Sequence, residues 1–177
     1  MIVLIGESAS GKSSIERRLV EDYGYNKIVS YTTRPPRAGE VDGIDYHFIS
    51  TEHFESLKKQ EFFAESAQYR DWHYGIAKED CTDDKVAVLT PHGLRQVSKI
   101  KDIKVTSFYI NVPRRDRLIK LLQRGDNIEE AYRRSLSDVG MFDGVGDEVD
   151  YVINNSGYEY PIKQMAETVY DKVNPVF

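Results

Sequence analysis

The sequence predicts an α/β fold: a parallel sheet covered by helices, with one small β-rich excursion and a helical lid. Three observations lead there. Short apolar runs (Ile2–Ile5, Lys85–Leu89, Val105–Ile110, Tyr151–Ile153) alternate with segments whose apolar residues recur at helical spacing, the pattern of a buried parallel sheet. A glycine-bearing segment, Gly6-Glu7-Ser8-Ala9-Ser10-Gly11-Lys12-Ser13, joins the first run to the first helix. Between Ser30 and Ala77 the alternation is interrupted by prolines, glycines and short β-like pieces.

The glycine segment matches G-x-x-x-x-G-K-[ST] in full. Its glycines let the backbone curl so that N–H groups converge on phosphate oxygens. Lys12 adds positive charge near the β- and γ-phosphates, and the Ser13 hydroxyl is a hard oxygen suited to Mg²⁺. Strand, loop and helix N-terminus together set a phosphate on a helix dipole. Glu7, an acid inside this loop, is expected to point away from the nucleotide.

The other elements follow in order. Ser14–Val20 begins the first helix, and Lys27–Val29 is a second strand. Ser30–Gly43, with two prolines and two glycines, reads as a loop and not as a helix or central strand. Tyr46–Ile49 is a short strand. Thr51 caps a helix over Glu52–Lys59 with Phe54 and Leu57 inward. Phe62–Tyr69 and Trp72–Ala77 are two more strands. After the Lys85–Leu89 strand, Pro91–Ile100 is a helix with proline in its first turn. Pro113–Leu122 is a helix with Leu118, Leu121 and Leu122 on one face. Arg124-Gly125-Asp126 breaks it, and Glu129–Val139 resumes. Tyr151–Ile153 is a final buried strand, and Tyr158–Val173 closes the chain as a helix.

A chain of 177 residues, 40% hydrophobic and 30% charged, suits one domain. The expected division is a core of 1–29, 84–123 and 141–177, a nucleotide-binding excursion of 30–83, and a lid of 124–140. A formal net charge of −5 argues against a general nucleic-acid or membrane-surface binder. The N-terminal apolar run is too short for a signal peptide or a membrane span. Cys81 stands alone in the sequence, which fits a reducing compartment, the cytoplasm. No obligate protein partner is indicated.

Arginines therefore matter by position. Arg34 and Arg37 lie in a proline-stiffened loop with Ser30, Thr32 and Thr33, a set of forks and hydroxyls that suits a phosphate, with Tyr46 and Tyr74 as further donors. Arg114, Arg115 and Arg117 read as a solvated helix face. Arg124, Arg133 and Arg134 span the helix break, where a lid could deliver cations to a transferring phosphoryl group. His47, His53, His73 and His92 show no metal-ligand spacing.

The run Ser30-Tyr-Thr-Thr-Arg34-Pro-Pro-Arg37-Ala-Gly39-Glu40-Val-Asp-Gly43-Ile-Asp-Tyr46-His-Phe48 resembles the GMP-binding signature of guanylate kinases, and the likeness extends over nearly the whole chain. The resemblance implies a P-loop NTPase-type five-stranded parallel core, a small mixed-β GMP-binding subdomain and a helical lid. It implies transfer of a phosphoryl group from ATP to GMP with Mg²⁺. The ATP phosphates would lie on Gly6, Ser8, Ala9, Ser10, Gly11, Lys12, Ser13 and Ser14, with Mg²⁺ on Ser13 and the adenine near Asn154. Ser30, Arg34, Arg37, Glu40, Tyr46 and Tyr74 would surround GMP, with its phosphate on Ser30, the arginines and the tyrosines. Glu65 would accept from guanine N1–H and the exocyclic amine. Lys12, Arg34, Arg124 and Arg134 would carry catalysis, with Arg133 the alternative second lid arginine, since the spacing from Arg124 is one residue short for Arg134.

The departures are specific. Tyr74-Gly75-Ile76-Ala77 lacks the family serine that helps hold guanine. Val88 and Thr90 replace the two aspartates of the family's Asp-x-Asp-x-x-Gly strand end, one near Mg²⁺ and one at the base. They leave two rivals to a GMP kinase: a monophosphate kinase of different or broader base choice, and a non-catalytic module that binds protein partners. The intact Lys12 and Ser13 weigh against the second.

Overall fold

The computed structural model describes residues 1–37, 39–69, 71–125 and 127–175, leaving aside the side chains of Tyr69 and Glu130. Ala38 of the arginine-bearing loop and Asp126 of the helix break thus lie outside the described residues. Strand β1 (Ile2–Ile5) is buried at all four positions. It lies at the centre of a five-stranded sheet with β2 (Asn26–Lys27), β7 (Lys85–Val88), β8 (Thr106–Asn111) and β9 (Tyr151–Asn154), in the order β2-β7-β1-β8-β9. Every pairing in it is parallel. Successive β1 side chains alternate between the two faces. Ile2 and Leu4 join Ile15, Leu19, Met165 and Val169, from helices α1 (Lys12–Tyr23) and α6 (Ile162–Val173). Val3 and Ile5 join Leu94 and Val97 of α3 (Pro91–Val97) on the other face.

The excursion is a four-stranded sheet in the order β4-β3-β6-β5: β3 (Tyr31–Thr32), β4 (His47–Phe48), β5 (Phe63–Tyr69) and β6 (Trp72–Ala77). Helix α2 (Thr51–Lys59) follows β4. Ala64 and Ile76 extend the core cluster into this sheet. Helices α4 (Arg114–Gln123) and α5 (Ile128–Ser137) form the expected break-and-resume pair.

Several expectations need correction. Tyr31–Thr32 is a central strand of the small sheet: both prolines come after it, so its backbone is free to pair with Gly75 and Tyr74 on one side and His47 and Phe48 on the other. Ser50, not Thr51, caps α2, its Oγ accepting from the His53 N–H at 3.1 Å. Leu122 is 50% exposed, and the buried stripe of α4 is Arg117 and Leu121. β9 is an edge strand with alternating exposure, so Val152 faces out. Helix α3 stops at Val97, and α6 starts only after Pro161, whose ring suits the first turn. Among the described residues no helix is long and apolar enough to cross a membrane.

Candidate active site

The loop between β1 and α1 has the curl its glycines allow. A Cβ on Gly6 would stand 2.6 Å from Ser10 Oγ and 2.7 Å from the Ile110 carbonyl, so nothing larger fits. Ala9 adopts φ 65°, a left-handed conformation uncommon without glycine, and the Tyr158 hydroxyl donates to its carbonyl at 2.8 Å. Lys12 folds back over the loop, Nζ donating to the Glu7 carbonyl at 2.8 Å and to Ser10 Oγ at 3.4 Å. Burial lowers its pKa from 10.5 to about 8, against the pull of Asp138 and Glu7. Lys12 stays mostly protonated at neutral pH, and an incoming phosphate would raise its pKa again.

Glu7 turns away from the loop's concave side, as expected from its charge. Its carboxylate accepts from the Tyr109 hydroxyl at 3.1 Å and from Arg117 at 3.3 Å. Arg117 is only 6% exposed, so it is no part of a solvated face. Its Nε donates to the Val112 carbonyl at 2.9 Å, and Nη1 lies 3.4 Å from the Asp138 carboxylate. Asp138, just beyond α5, in turn accepts from the Ser8 N–H at 2.9 Å. The end of α5 is therefore tied to the phosphate loop through two carboxylates and one buried arginine. This network escaped the sequence reading. Its available signal was that Arg117 sits four residues before the buried Leu121, on the inward stripe of α4.

Three clefts meet at the loop. On the α6 side, Lys12, Ser13 and Ser14 share a cleft of about 440 Å³ with Lys120, Arg124, Tyr158, Pro161 and Ile162. Asn154 does not line it: its side-chain oxygen accepts from Asn111 at 2.8 Å, at the exposed end of β9. On the lid side, Gly6, Ser8 and Lys12 face Arg37 from the excursion, Thr90 from the end of β7, and Arg133 and Arg134 from α5, across about 440 Å³. Both candidate lid arginines thus turn to the same space, which the shortened spacing alone could not tell. On the third side, Ser13 and Glu16 face Ser30 and Tyr46, with Ala87, Val88 and Leu89 as the floor of a smaller cleft of about 220 Å³.

Arg34 is nearly buried and held in place by Glu40, whose two oxygens lie 2.8 and 2.9 Å from Nη2. Nη1 donates to the Pro35 carbonyl at 2.9 Å, and the guanidinium lies over the rings of Tyr46 and Phe48 at 5.4 and 5.8 Å. Glu40 also accepts from the Arg37 N–H at 2.7 Å, so one carboxylate orders both arginine positions. The bond to Glu40 chiefly, and the nearby Tyr74 hydroxyl to a lesser degree, raise the guanidinium pKa.

Glu65 sits on β5 just after a register shift between Phe63 and Glu65, a bulge that turns the side chain inward. It is 8% exposed and accepts no hydrogen bond from a described residue, so burial alone lifts its pKa from 4.5 to about 7. Gly93 makes room for it: a Cβ there would stand 3.2 Å from Glu65 Oε2. Gln96 of α3 fixes the next residue of the strand, bonding both Ser66 N and O at 3.1 and 3.0 Å. Thr90 caps α3, its Oγ1 accepting from the Gly93 N–H at 3.1 Å. One of its lone pairs is thereby taken. Ala77 is fully buried and offers no polar group.

Known proteins share this arrangement. The guanylate kinase family model matches residues 1–172. The chain is 34% identical to guanylate kinase of Haemophilus influenzae, over 93% of this chain and 84% of that one. It is 33% identical to that of Rickettsia felis, over 96% and 92%, and 34% identical to that of Schizosaccharomyces pombe, over 93% and 87%. The crystal structure of guanylate kinase from Anaplasma phagocytophilum superposes with a TM-score of 0.67 at 25% identity, covering 97% of this chain and 84% of that one. A phosphate loop at the end of a central parallel strand, an arginine-bearing β excursion and a match along nearly every residue place the chain in the guanylate kinase family.

Proposed function

We infer that the chain transfers the γ-phosphoryl group of ATP to GMP, releasing ADP and GDP. One observation carries the reading: Lys12 of the phosphate loop, Arg37 of the excursion, and Arg133 and Arg134 of the lid converge on a single cleft at the carboxyl ends of the parallel strands. That is the cation arrangement an in-line transfer between two phosphates requires.

The acceptor is a phosphate oxygen, already anionic near neutral pH, so no base has to remove a proton. Catalysis is then positioning and charge neutralisation. The donor's phosphates would lie on the loop from Gly6 to Ser14. Its base would enter the cleft between Arg124 and the Tyr158–Ile162 wall, which suits a flat ring better than the Asn154 position does. The acceptor's phosphate would meet Arg34, Arg37, Tyr46 and Tyr74, with Glu40 setting the two arginines and Ser30 on the adjoining wall. Glu65 would accept the two guanine donors, which its unpartnered carboxylate is suited to do. Thr90, near the lid arginines, keeps a hydroxyl proton and one lone pair for the base or the lid. Lys12, Arg34, Arg124 and one of Arg133 and Arg134 would neutralise the transferring group.

Mg²⁺ fits the donor set, because the Ser13 hydroxyl is exposed at the cleft mouth and nucleotide phosphates supply the other hard oxygens. When bound, Mg²⁺ would neutralise β- and γ-phosphate charge. Cys81 is buried, and burial raises its thiol pKa to about 11, so it stays a thiol; a lone thiol suits a reducing compartment, the cytoplasm.

ADP release with ATP and Mg²⁺ against GMP, dGMP, AMP, UMP and CMP tests the reading. GMP should be turned over best by a wide margin. Comparable turnover of AMP or a pyrimidine nucleotide would replace the base assignment, and no ADP release with any acceptor would leave only a binding module.

A further inference from the structure

Phosphate-loop enzymes hold Mg²⁺ between the loop Ser or Thr and a carboxylate from a strand beside it. The strands flanking β1 here carry none at the ends that reach the loop. β7 ends in Val88 and runs on as Leu89-Thr90, and β8 ends in Ile110-Asn111 and runs on as Val112. Glu7 and Asp138 are engaged with Arg117, Tyr109 and Ser8. Asp45 accepts from the Val41 N–H at 2.7 Å.

One carboxylate is left over at this place. Glu16 is one turn beyond Ser13 on α1, where residues three apart are neighbours. It shares with Ser13 the small cleft whose floor is Ala87, Val88 and Leu89. It belongs to the buried stripe of α1, between Ile15 and Leu19, and is 9% exposed. No described residue hydrogen-bonds or ion-pairs with it at contact distance. Burial raises its pKa from 4.5 to about 7, against the pull of Lys27, which lines the same cleft without reaching ion-pair distance of it. Among the described residues no fully buried side-chain oxygen lacks a partner, so the Glu16 carboxylate opens into the cleft, where solvent or a ligand offsets the cost of its burial.

We propose that Glu16 is the carboxylate of the Mg²⁺ site in this chain, holding the ion's water shell beside Ser13 from α1, across the cleft from Val88. Mg²⁺ keeps several waters and needs few protein oxygens, so one acid on the helix can serve where the strand offers a methyl-bearing side chain. The acid has in effect changed sides of one small cleft. This also accounts for an otherwise unexplained pair of features: a valine at the mouth of a phosphate site and a glutamate in a hydrophobic stripe.

The proposal rests on the loop being the ATP site, and one titration separates the two. Mn²⁺, a spin probe for the Mg²⁺ position, is titrated into protein saturated with ADP and followed by electron paramagnetic resonance; ADP affinity is measured first without metal. Glu16→Gln should leave metal-free ADP binding within about twofold and weaken Mn²⁺ binding to the complex by roughly tenfold or more. Adding Val88→Asp to Glu16→Gln should bring Mn²⁺ affinity back to within a few-fold. Loss of metal-free ADP binding by the unaltered protein would remove the nucleotide reading itself. Unchanged Mn²⁺ affinity in Glu16→Gln overturns the proposal, as does a change confined to thermal stability, which a simple Glu16–Lys27 attraction would produce. Failure of Val88→Asp to restore binding in a folded double variant also overturns it.

Discussion

Lys12, Glu16 and Glu65 are the side chains whose ordinary charge is most opposed by their surroundings within the site. Lys12 is buried against the loop it would use to hold phosphate, and its pKa falls to about 8. Lys12→Ala should therefore leave thermal unfolding of the free protein nearly unchanged, while kcat drops by roughly 10²-fold or more, as on loss of a preorganised electrostatic donor. Near-normal kcat in that variant would take the loop out of the mechanism. Glu65 is the complementary case. Its folded-state pKa lies near 7, above the usual 4.5, so its contribution to stability is complete below about pH 4.5 and is lost as pH rises through 7. The Cys81 thiol, its titratable neighbour, stays neutral throughout that window. Relative to Glu65→Gln, the parent should lose about 2–3 kcal/mol of stability between pH 5 and pH 8, since a pH unit between the unfolded pKa near 4.5 and the folded one near 7 costs about 1.4 kcal/mol. Urea unfolding of both proteins at several pH values measures this. The same variant puts an amide donor where guanine needs an acceptor, so kcat/KM for GMP should fall by roughly 10²-fold while AMP turnover falls much less or rises. If the GMP preference survived, Glu65 could not be the group that reads the base.

At the scale of elements, the phosphate loop and the lid are joined by charge, not by apolar packing. Arg117 on α4 holds Glu7 of the loop and Asp138 beyond α5, with all three side chains 12% exposed or less. Removing the cation leaves two buried carboxylates facing each other. Arg117→Met should cost about 3–5 kcal/mol, the scale for breaking a buried ion pair from one side. In a domain of this length that corresponds to a fall in Tm of roughly 10 °C. Arg115→Met, one residue away and exposed, should shift Tm by less than about 2 °C, since surface charges contribute little. Equal shifts for the two variants, by differential scanning calorimetry, would mean that the Arg117 network is not under strain when broken. The β5 bulge is a second element-scale device. One extra residue turns Glu65 inward, and Gly93 on α3 gives its carboxylate room, so two separate elements shape one buried recess.

At the scale of the molecule, the loop's lid-side cleft is open between three bodies: the parallel core, the β excursion and the α4–α5 pair. Phosphoryl transfer needs water excluded and the cations brought closer. The excursion is attached to the core through a few apolar residues, Ala64 and Ile76 among them, and leaves Pro35, Pro36, Arg37, Gly39 and 41–43 exposed. Amide hydrogen exchange should accordingly slow in 30–48 and in 127–138 when GMP and a non-hydrolysable ATP analogue are both present, and much less in β1, β7 and β8. Equal protection with and without the two nucleotides would argue for a site already closed.

The parallel core and the phosphate loop were legible from sequence because both are local. Four adjacent apolar residues followed by a glycine pattern and a helical stripe can be satisfied in few ways, and Ile2–Ile5, Lys12 and Ser13 stand where that pattern puts them. The small sheet was legible in its hairpin, Phe63–Tyr69 with Trp72–Ala77, but not in its centre: Tyr31–Thr32 is two residues long, too short for any periodicity, and becomes a strand only because partners arrive from both sides. The charged residues divide in the same way. Arg34 and Glu40 are six apart and their pairing is a property of one loop. Arg117 and Glu7 are 110 residues apart, on a helix and a loop that meet only when the sheet has formed. Whether an arginine on α4 or a glutamate on α1 is solvated or buried is set by what the sheet packs against that helix, and no local pattern carries that information. Composition and motif determined which chemistry the chain performs; the tertiary packing alone decided which carboxylates lie buried without a protein partner, because burial depends on residues far apart in sequence.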